Sequence, residues 1–293
     1  MTTENILQKK AMLVQFSAAV YSGRKKDKNA AASVSKEFGN EIQLGNYIKQ
    51  SIPAEHLKGI QSAVNEFRIF LYTHTLPWSH KGELLLSTDL YEKIMEKERE
   101  IKIQFESLVS VFLENYESYQ NEARSRLNGL YNPADYPCIS KIQKKFSWDI
   151  NFSPVPAGND LKVDLAEEDI KKISADIESK NDIALKKAMD SIWQRIFDSV
   201  KHLSEKMKES RTDKNGNDVS PIFKDTIIEN IQELVSLLPS LNITNDPALE
   251  QARRDLESDL AGVDPEILRE SKETRKEIAE KADQILNNIG QLF

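Results

Sequence analysis

Cysteine is almost absent from this sequence of 293 residues, because Cys138 is the single one. A disulfide framework is therefore excluded, and the composition fits a reducing compartment. No apolar run approaches the roughly 20 residues that a membrane-spanning helix needs. The longest, Leu108–Leu113, is already interrupted by a serine. The first residues, Met1–Asn5, have no signal-peptide pattern. We therefore expect a cytoplasmic protein that does not bind membranes.

The motifs of the common enzyme classes are missing as well. The sequence contains no G-x-S-x-G elbow, no G-x-G-x-x-G, no Walker A loop and no C-x-x-C pair. Four histidines occur, none of them at H-x-x-x-H spacing, and the combination of His74, His80 and Cys138 has no recognised metal-binding spacing. We predict a protein that is not an enzyme and has no catalytic residues, cofactor or metal. An enzyme with unrecognised chemistry is the alternative.

What the sequence does have is charge. Charged residues make up 30% and apolar residues 39%, a balance that favours elongated helices over a thick globular core. The formal net charge of −7 makes nucleic acid an unlikely partner. Residues 1–50 nevertheless hold eight basic and four acidic side chains, whereas residues 245–293 hold seven basic and twelve acidic ones. Ends of opposite charge can pair within one chain or between chains, so a homo-oligomer is possible.

Two long helices are predicted on either side of a β-hairpin. The first begins at Thr88 and ends at Asn132-Pro133, and the second runs from Ala166 to the polar stretch after Arg211. Each has one apolar stripe at helical spacing and would form a rod of about 60 Å. We interpret them as an antiparallel, coiled-coil-like pair. Two separate helices packed on other elements are the alternative.

The hairpin is predicted from strict alternation of apolar and polar residues. Phe146, Trp148, Ile150 and Phe152 alternate with polar residues, and Leu161–Leu165 repeats the pattern after a turn-rich linker. Residues 11–21 also alternate and predict a strand that pairs with this hairpin in a three-stranded sheet. A buried helix is the alternative for that stretch, because Ala and Met favour helices.

The remaining segments are predicted to be helical. A helix spans residues 54–75, and Asp-Pro start signals at Asp246-Pro247 and Asp264-Pro265 open two more, as Ser220-Pro221 does earlier. The last helix is so charged that we expect it to be exposed or bridging. The predicted fold class is mainly α with a small antiparallel β-sheet. The predicted segments are 1–87 (strand, basic loop and helices), 88–211 (long helix, hairpin, long helix) and 212–293 (helical).

One short segment is a candidate binding site. Arg24, Lys25, Lys26 and Lys28 place four basic side chains within five positions, directly after Gly23. Such a cluster can bind phosphate, nucleic acid or an acidic protein. A solvated loop without a ligand is the alternative.

Four segments of the chain resemble a family of phage and prophage proteins described only as a domain of unknown function. They are Met12–Lys28, Thr75–Ser79, Lys145–Pro156 and Asn242–Glu257. In that family a tryptophan often stands where this chain has Tyr21. Members tend to be encoded near a MoxR-type AAA ATPase and a von Willebrand A-type protein, like the subunits of cobalt chelatase.

The resemblance implies a non-catalytic component of an ATP-driven machine. We therefore predict a helical adaptor or scaffold that binds a protein partner, for which the resemblance suggests the MoxR-type ATPase or von Willebrand A module. A phage inhibitor that blocks a host defence complex is the second hypothesis, and a nucleic-acid-binding protein using the basic segment is the third. If a phage encodes the chain, its location would be the host cytoplasm.

Overall fold

The computed structural model describes residues 3–39, 42, 44–79, 81–158, 163–209, 211–212, 218–219 and 225–290. These residues are mainly helical, with small antiparallel sheets. The predicted fold class, a mainly α chain with a small antiparallel β-sheet and long helices, is confirmed.

The helices of the described residues follow one another in chain order. They are α1 (Thr3–Lys10), α2 (Lys28–Glu37), α3 (Glu55–Thr73), α4 (Tyr91–Glu114), α5 (Tyr116–Leu127), α6 (Ile139–Gln143), α7 (Glu167–Lys208), α8 (Thr226–Leu241), α9 (Pro247–Leu256), α10 (Pro265–Glu270) and α11 (Lys272–Gly290). Short 3-10 turns lie at Thr88–Leu90, Asn128–Leu130 and Pro133–Asp135, and a π-helical turn at Glu257–Ala261.

The strands form three small sheets. They are β1 (Ala11–Ala19), β2 (Arg24–Lys26), β3 (Ile48–Gln50), β4 (Leu76–Pro77), β5 (Leu84–Ser87), β6 (Ser147–Ser153), β7 (Arg211–Thr212) and β8 (Asp218–Val219). The largest sheet has the order β4-β5-β1-β6, and the others are the pairs β2-β3 and β7-β8. In the first sheet β1 and β5 are antiparallel, with Ala11 opposite Ser87 and Val14 opposite Leu84.

The chain divides into two compact units, each built from stretches that are not contiguous in sequence. The first unit comprises Met1–Gln15, Tyr72–Tyr91 and Phe152–Phe293. The second unit comprises Phe16–Leu71 and Glu92–Asn151. The three consecutive segments predicted from the sequence stay a prediction.

The first unit is organised around α7, a single helix of 42 residues. Along it packs α11, whose apolar residues Ile278, Ala282 and Ile285 are buried. Asp283 of α11 also accepts hydrogen bonds from Ser204 Oγ and Lys208 Nζ, both at 2.7 Å. The expectation of an exposed or bridging last helix is therefore wrong, because its few apolar residues fall on one face and α7 covers them.

Helix α7 also closes the end of α3 through one arginine. Arg195 donates hydrogen bonds to the carbonyls of Tyr72, Thr73 and Thr75 at 2.7–3.0 Å. The last carbonyls of a helix have no partner within the helix, so a guanidinium with several N–H groups satisfies them well. Burial lowers the pKa of Arg195 from its usual value.

Helices α8 and α9 complete the described part of the first unit. Asp246 and Asp264 cap α9 and α10 as predicted, with carboxylates that accept from the N–H groups of Ala248 and Glu266 at 2.9 and 2.8 Å. The predicted start at Ser220-Pro221 lies outside the described residues. No helix in the described part of the chain has an apolar stretch long enough to cross a membrane.

The second unit has an aromatic core around Trp148. The indole ring contacts Phe16, Phe67 and Phe105, with ring centroids 4.8–5.3 Å apart. Its Nε1–H donates to a carboxylate oxygen of Glu98 at 2.9 Å, and Glu98 is only 4% exposed. Helices α3, α4 and strands β1 and β6 thus supply the residues of one cluster.

The two predicted rods differ from one another in the structure. The second rod is continuous as α7, whereas the first is divided into α4 and α5 at Asn115, which has φ −92° and ψ 0°. The Asn115 side chain donates to the Val111 carbonyl at 2.8 Å, and the same carbonyl also accepts from the Asn115 backbone N–H at 3.2 Å. The rods belong to different units, so their pairing stays a prediction.

Two strands of the predicted sheet are confirmed, and the others differ from the prediction. Residues 11–19 form the expected strand, which is hydrogen-bonded to β6, the strand predicted at 146–152. Strands β4 and β5 were not predicted. Of the second hairpin strand, residues 159–162 lie outside the described residues, and Val163–Leu165 is not a strand. In the sheet as it is formed, the neighbour of β6 is β1.

Candidate partner-binding site

The four basic residues predicted to bind a partner lie on a strand and the helix after it. Arg24–Lys26 form β2, and Lys28 is the first residue of α2. All four residues are exposed. The predicted loop is therefore wrong in conformation, because its backbone pairs with β3, which lies more than twenty residues further along the chain. The structure does bring the four basic residues together.

Pairing with β3 gives the two faces of this sheet different characters. Arg24 lies opposite Gln50, Lys25 opposite Lys49, and Lys26 opposite Ile48. Side chains alternate between the faces of a strand, so Arg24, Lys26 and Ile48 share one face. All three are exposed. On the other face Lys49 is buried.

Lys49 is the centre of a buried ion network that holds β3 in place. Its ammonium lies 2.7 Å from a carboxylate oxygen of Asp27 and 2.8 Å from one of Asp135. It also donates to the Leu130 carbonyl at 2.7 Å. These groups, the Lys49 network, tie β3 to the start of α2 and to the turn at Pro133–Asp135.

The pKa shifts within the Lys49 network show that its charged forms are favoured. Burial acts to lower the pKa of Lys49, but hydrogen bonds and attraction to Asp135 and Asp27 outweigh burial and raise it. The hydrogen bond from Lys49 holds the pKa of Asp27 below its usual value, helped by the Ala30 N–H. Lys49 and Asp27 therefore both favour their charged forms.

Helix α5 and the segment after it hold the end of β3 and the residue that follows it. Arg126 donates to the Gln50 carbonyl at 2.6 Å, and the Tyr136 hydroxyl donates to the Ser51 carbonyl at 3.1 Å. Asn132 caps the turn between them by accepting from the Ala134 N–H at 3.0 Å. These contacts hold β3, and β2 beside it has exposed basic residues on both of its faces.

Two clefts flank the basic residues. The larger, of about 710 Å³, has Lys26, Lys28, Val34 and Tyr47 among its lining residues. The smaller, of about 250 Å³, is lined by Val20, Tyr21, Ser22, Arg24, Lys25, Asp135, Pro137 and Lys145. Cationic side chains thus line both clefts.

Large apolar residues are exposed from α2 to β3, and Val34, Tyr47 and Ile48 among them adjoin the basic residues. Phe38, Ile42 and Leu44 are 77%, 75% and 72% exposed. Val34, Tyr47 and Ile48 are exposed as well. Single exposed apolar residues are common on proteins, and six large ones within fifteen positions make this segment a candidate binding surface. The sequence analysis missed them, because their exposure depends on how α2 and β3 pack in the folded chain.

We call these side chains together the basic–apolar surface. It consists of Arg24, Lys25, Lys26, Lys28, Val34, Tyr47 and Ile48. Cations attract an acidic partner, and neighbouring apolar groups add contact area that does not depend on charge. The predicted binding role of the four basic residues stays a prediction.

Gly23 positions β2, and its replacement should damage this arrangement. Gly23 has φ +63°, and an added Cβ would lie 2.8 Å from the carbonyl oxygen of Ile52. Gly23→Ala should therefore lower the free energy of unfolding by about 1–2 kcal/mol, measured by urea denaturation. Gly129→Ala is the control, since open space surrounds Gly129 and little change is expected. Equal losses in both variants would contradict this role of Gly23.

Among the described residues, one group has the composition of a metal site. Glu55, His56 and Glu122 place their ligand atoms within 4.8 Å of one another, and His56 Nε2 lies 2.8 Å from Glu122 Oε2. The His56 ring stacks on Tyr119 at 3.9 Å. The sequence analysis missed this group because its members lie on different helices.

The combination of His74, His80 and Cys138, considered in the sequence analysis, gains no support as a metal site from the described residues. His74 is buried, Cys138 is exposed, and His80 lies outside the described residues. A comparison with known proteins adds no further candidate. No protein-family model, curated protein or solved structure matches the chain.

Proposed function

We propose that this protein is a non-catalytic adaptor that binds an acidic protein partner through the basic–apolar surface. The observation that carries the proposal is the exposure of Val34, Tyr47 and Ile48 beside the basic residues of β2 and α2. The Lys49 network supports this surface, because its charged hydrogen bonds hold β3 in place. A surface held in this way loses little conformational entropy when a partner binds.

An acidic protein fits this surface better than nucleic acid does. A phosphate backbone would use the cations but gain little from Val34 and Ile48. The chain as a whole carries a net charge of −7, which opposes non-specific binding to DNA or RNA. A protein with acidic residues beside apolar ones would use both halves of the surface.

The family resemblance suggests which acidic proteins to test first. If the chain shares the genomic setting of that phage family, a MoxR-type AAA ATPase or a von Willebrand A-type protein is the natural partner. The chain would then contribute a binding surface to an ATP-driven assembly rather than chemistry of its own.

The proposal predicts that reversing the charge of β2 removes the partner. The variant is Arg24→Glu, Lys25→Glu and Lys26→Glu together, compared with the wild-type chain in affinity capture followed by quantitative mass spectrometry. We expect an acidic protein captured by the wild type to fall at least tenfold, which corresponds to about 1.4 kcal/mol. Raising the salt concentration should have the same effect, since exposed charges are screened over about 8–10 Å.

The matched control makes the same charge change elsewhere. Lys171, Lys186 and Lys187 are exposed on α7, and reversing them to Glu should leave capture unchanged. A second variant, Val34→Ser with Ile48→Ser, should weaken capture without altering its salt dependence. Equal capture by wild type and the β2 variant, at equal melting temperature, would reject the proposal. Recovery of nucleic acid as the salt-sensitive ligand would also reject it.

A further inference from the structure

Strand β2 has one edge paired with β3 and one edge turned outward. The Asp27 N–H donates to the Tyr47 carbonyl at 2.9 Å, which makes this pair a hydrogen-bonded one. Bonded and non-bonded pairs alternate in an antiparallel ladder, so Lys25 and Lys49 bond to each other. The N–H and carbonyl groups of Arg24 and Lys26 must then point away from β3.

Two further contacts agree with this assignment. The Arg24 N–H donates to Ser22 Oγ rather than to β3. The Gln50 carbonyl, opposite Arg24, accepts from Arg126, so it also points out of the ladder, on the far side of β3. The outer side of β3 is thus occupied. In the described part of the chain, no further strand pairs with β2.

The charges on β2 determine which strand can pair with its outer edge. Basic side chains on an edge strand oppose pairing with a neutral or basic strand, and with another copy of β2. The same side chains attract a strand whose side chains beside Arg24 and Lys26 are acidic. Ile48 lies on that face too, so an apolar residue in the added strand has a contact within reach.

We infer that the partner binds as an added strand, an extended acidic segment hydrogen-bonded to the outer edge of β2. This inference rests on the proposed function and specifies how the surface recognises its partner. Main-chain hydrogen bonds from Lys26 supply affinity, and the cationic side chains supply selectivity. In the added segment every second residue is acidic and faces Arg24 and Lys26. The residues between them face the side of the sheet on which Lys25 lies.

The test uses a short synthetic peptide that alternates Glu and Val, titrated into the full-length chain. Hydrogen exchange of the Lys26 amide is followed by NMR, because that N–H points outward and has no bond to β3. We expect the peptide to slow its exchange at least tenfold. A peptide N-methylated at every second residue keeps its charge but loses the donors of one edge, and we expect it to bind at least tenfold more weakly.

Two variants separate hydrogen bonding from charge. Lys26→Pro removes the outward N–H and leaves the bonds between β2 and β3 intact, as proline on an edge strand allows. Lys26→Thr removes the same charge and keeps the N–H. We expect Lys26→Pro to bind the peptide about tenfold more weakly than Lys26→Thr.

The outcomes distinguish this inference from the proposed function. If Lys26→Pro equals Lys26→Thr and the N-methylated peptide binds normally, strand addition is wrong and recognition by charge alone stands. If the charge-reversed β2 variant also captures its partner normally, both proposals fail. Should Lys26→Pro not fold, the N-methylated peptide and the Lys26 amide still decide the result.

Discussion

Lys49→Met should destabilise the second unit by about 3 kcal/mol, because it removes the shared cation of two carboxylates. The Lys49 side chain is 3% exposed, and those of Asp27 and Asp135 are 14% and 11% exposed. Methionine matches the length of the lysine stem but leaves two like charges facing each other and the Leu130 carbonyl without its donor. The measurement is the free energy of unfolding in urea, followed by circular dichroism.

Lys97→Met is the matched control for this variant. Lys97 also pairs with two carboxylates, Glu66 at 3.1 Å and Glu100 at 3.2 Å, but the partners are 51% and 65% exposed. Ion pairs exposed to this extent contribute at most about 1 kcal/mol. Equal losses from Lys49→Met and Lys97→Met would show that the Lys49 network does not hold β3.

The difference between wild type and Lys49→Met should also depend on pH. The pKa of Asp27 is lowered on folding, so its contribution is present above the usual value of 3.8 and is lost as pH falls through the folded value. The pKa of Lys49 is raised, so its contribution is present below the usual value of 10.5 and is lost as pH rises through the folded value. The difference in melting temperature should therefore be constant between these limits and shrink outside them.

Trp148→Ala should cost about 3 kcal/mol, the low end of the range for large aromatic truncations in a core, because the ring is half-buried. The variant removes ring contacts to Phe16, Phe67 and Phe105 and leaves the Glu98 carboxylate without its indole donor. Lys102 lies 3.9 Å from Glu98 and replaces that donor only in part. Thermal and urea unfolding of the full-length chain measure the loss.

Two comparisons separate the contributions of packing and of hydrogen bonding. Trp148→Phe keeps most of the ring contacts but removes the donor, so it should lose about 1–3 kcal/mol from the unsatisfied Glu98. Ile103→Ala, on the same helix as Glu98 and 69% exposed, should change stability by less than about 0.5 kcal/mol. An unchanged melting temperature for Trp148→Ala would mean that the ring is not part of the core.

Elements with a strong local pattern could be predicted from the sequence. The strand at 11–19, helix α3, the long helix α7 and the Asp-Pro starts of α9 and α10 all follow from periodicity and capping. Trp148 was predicted to be buried on the same grounds, and the structure has it half-buried, with its ring against Phe16, Phe67 and Phe105. The patterns that predict these features involve only residues a few positions apart in the sequence.

Features that depend on distant pairing could not be predicted. The Lys49 network joins residues 27, 49 and 135, and no local pattern distinguishes Lys49 from any other lysine. The pairing of α11 with α7 likewise needs knowledge of which helix covers a sparse apolar stripe. The basic residues were identified, but their place on a strand beside 34–48 depends on the β2-β3 pairing.

The central claim is that the basic–apolar surface binds an acidic protein, and photocrosslinking tests it most directly. A photoreactive benzoylphenylalanine replaces Ile48 in this surface or, as a control, Ile183, which is 55% exposed on α7. In the producing cells we expect one discrete adduct with an acidic protein from position 48, lost when Arg24, Lys25 and Lys26 are reversed to Glu. No adduct at position 48, or the same adducts at positions 48 and 183, would contradict the claim.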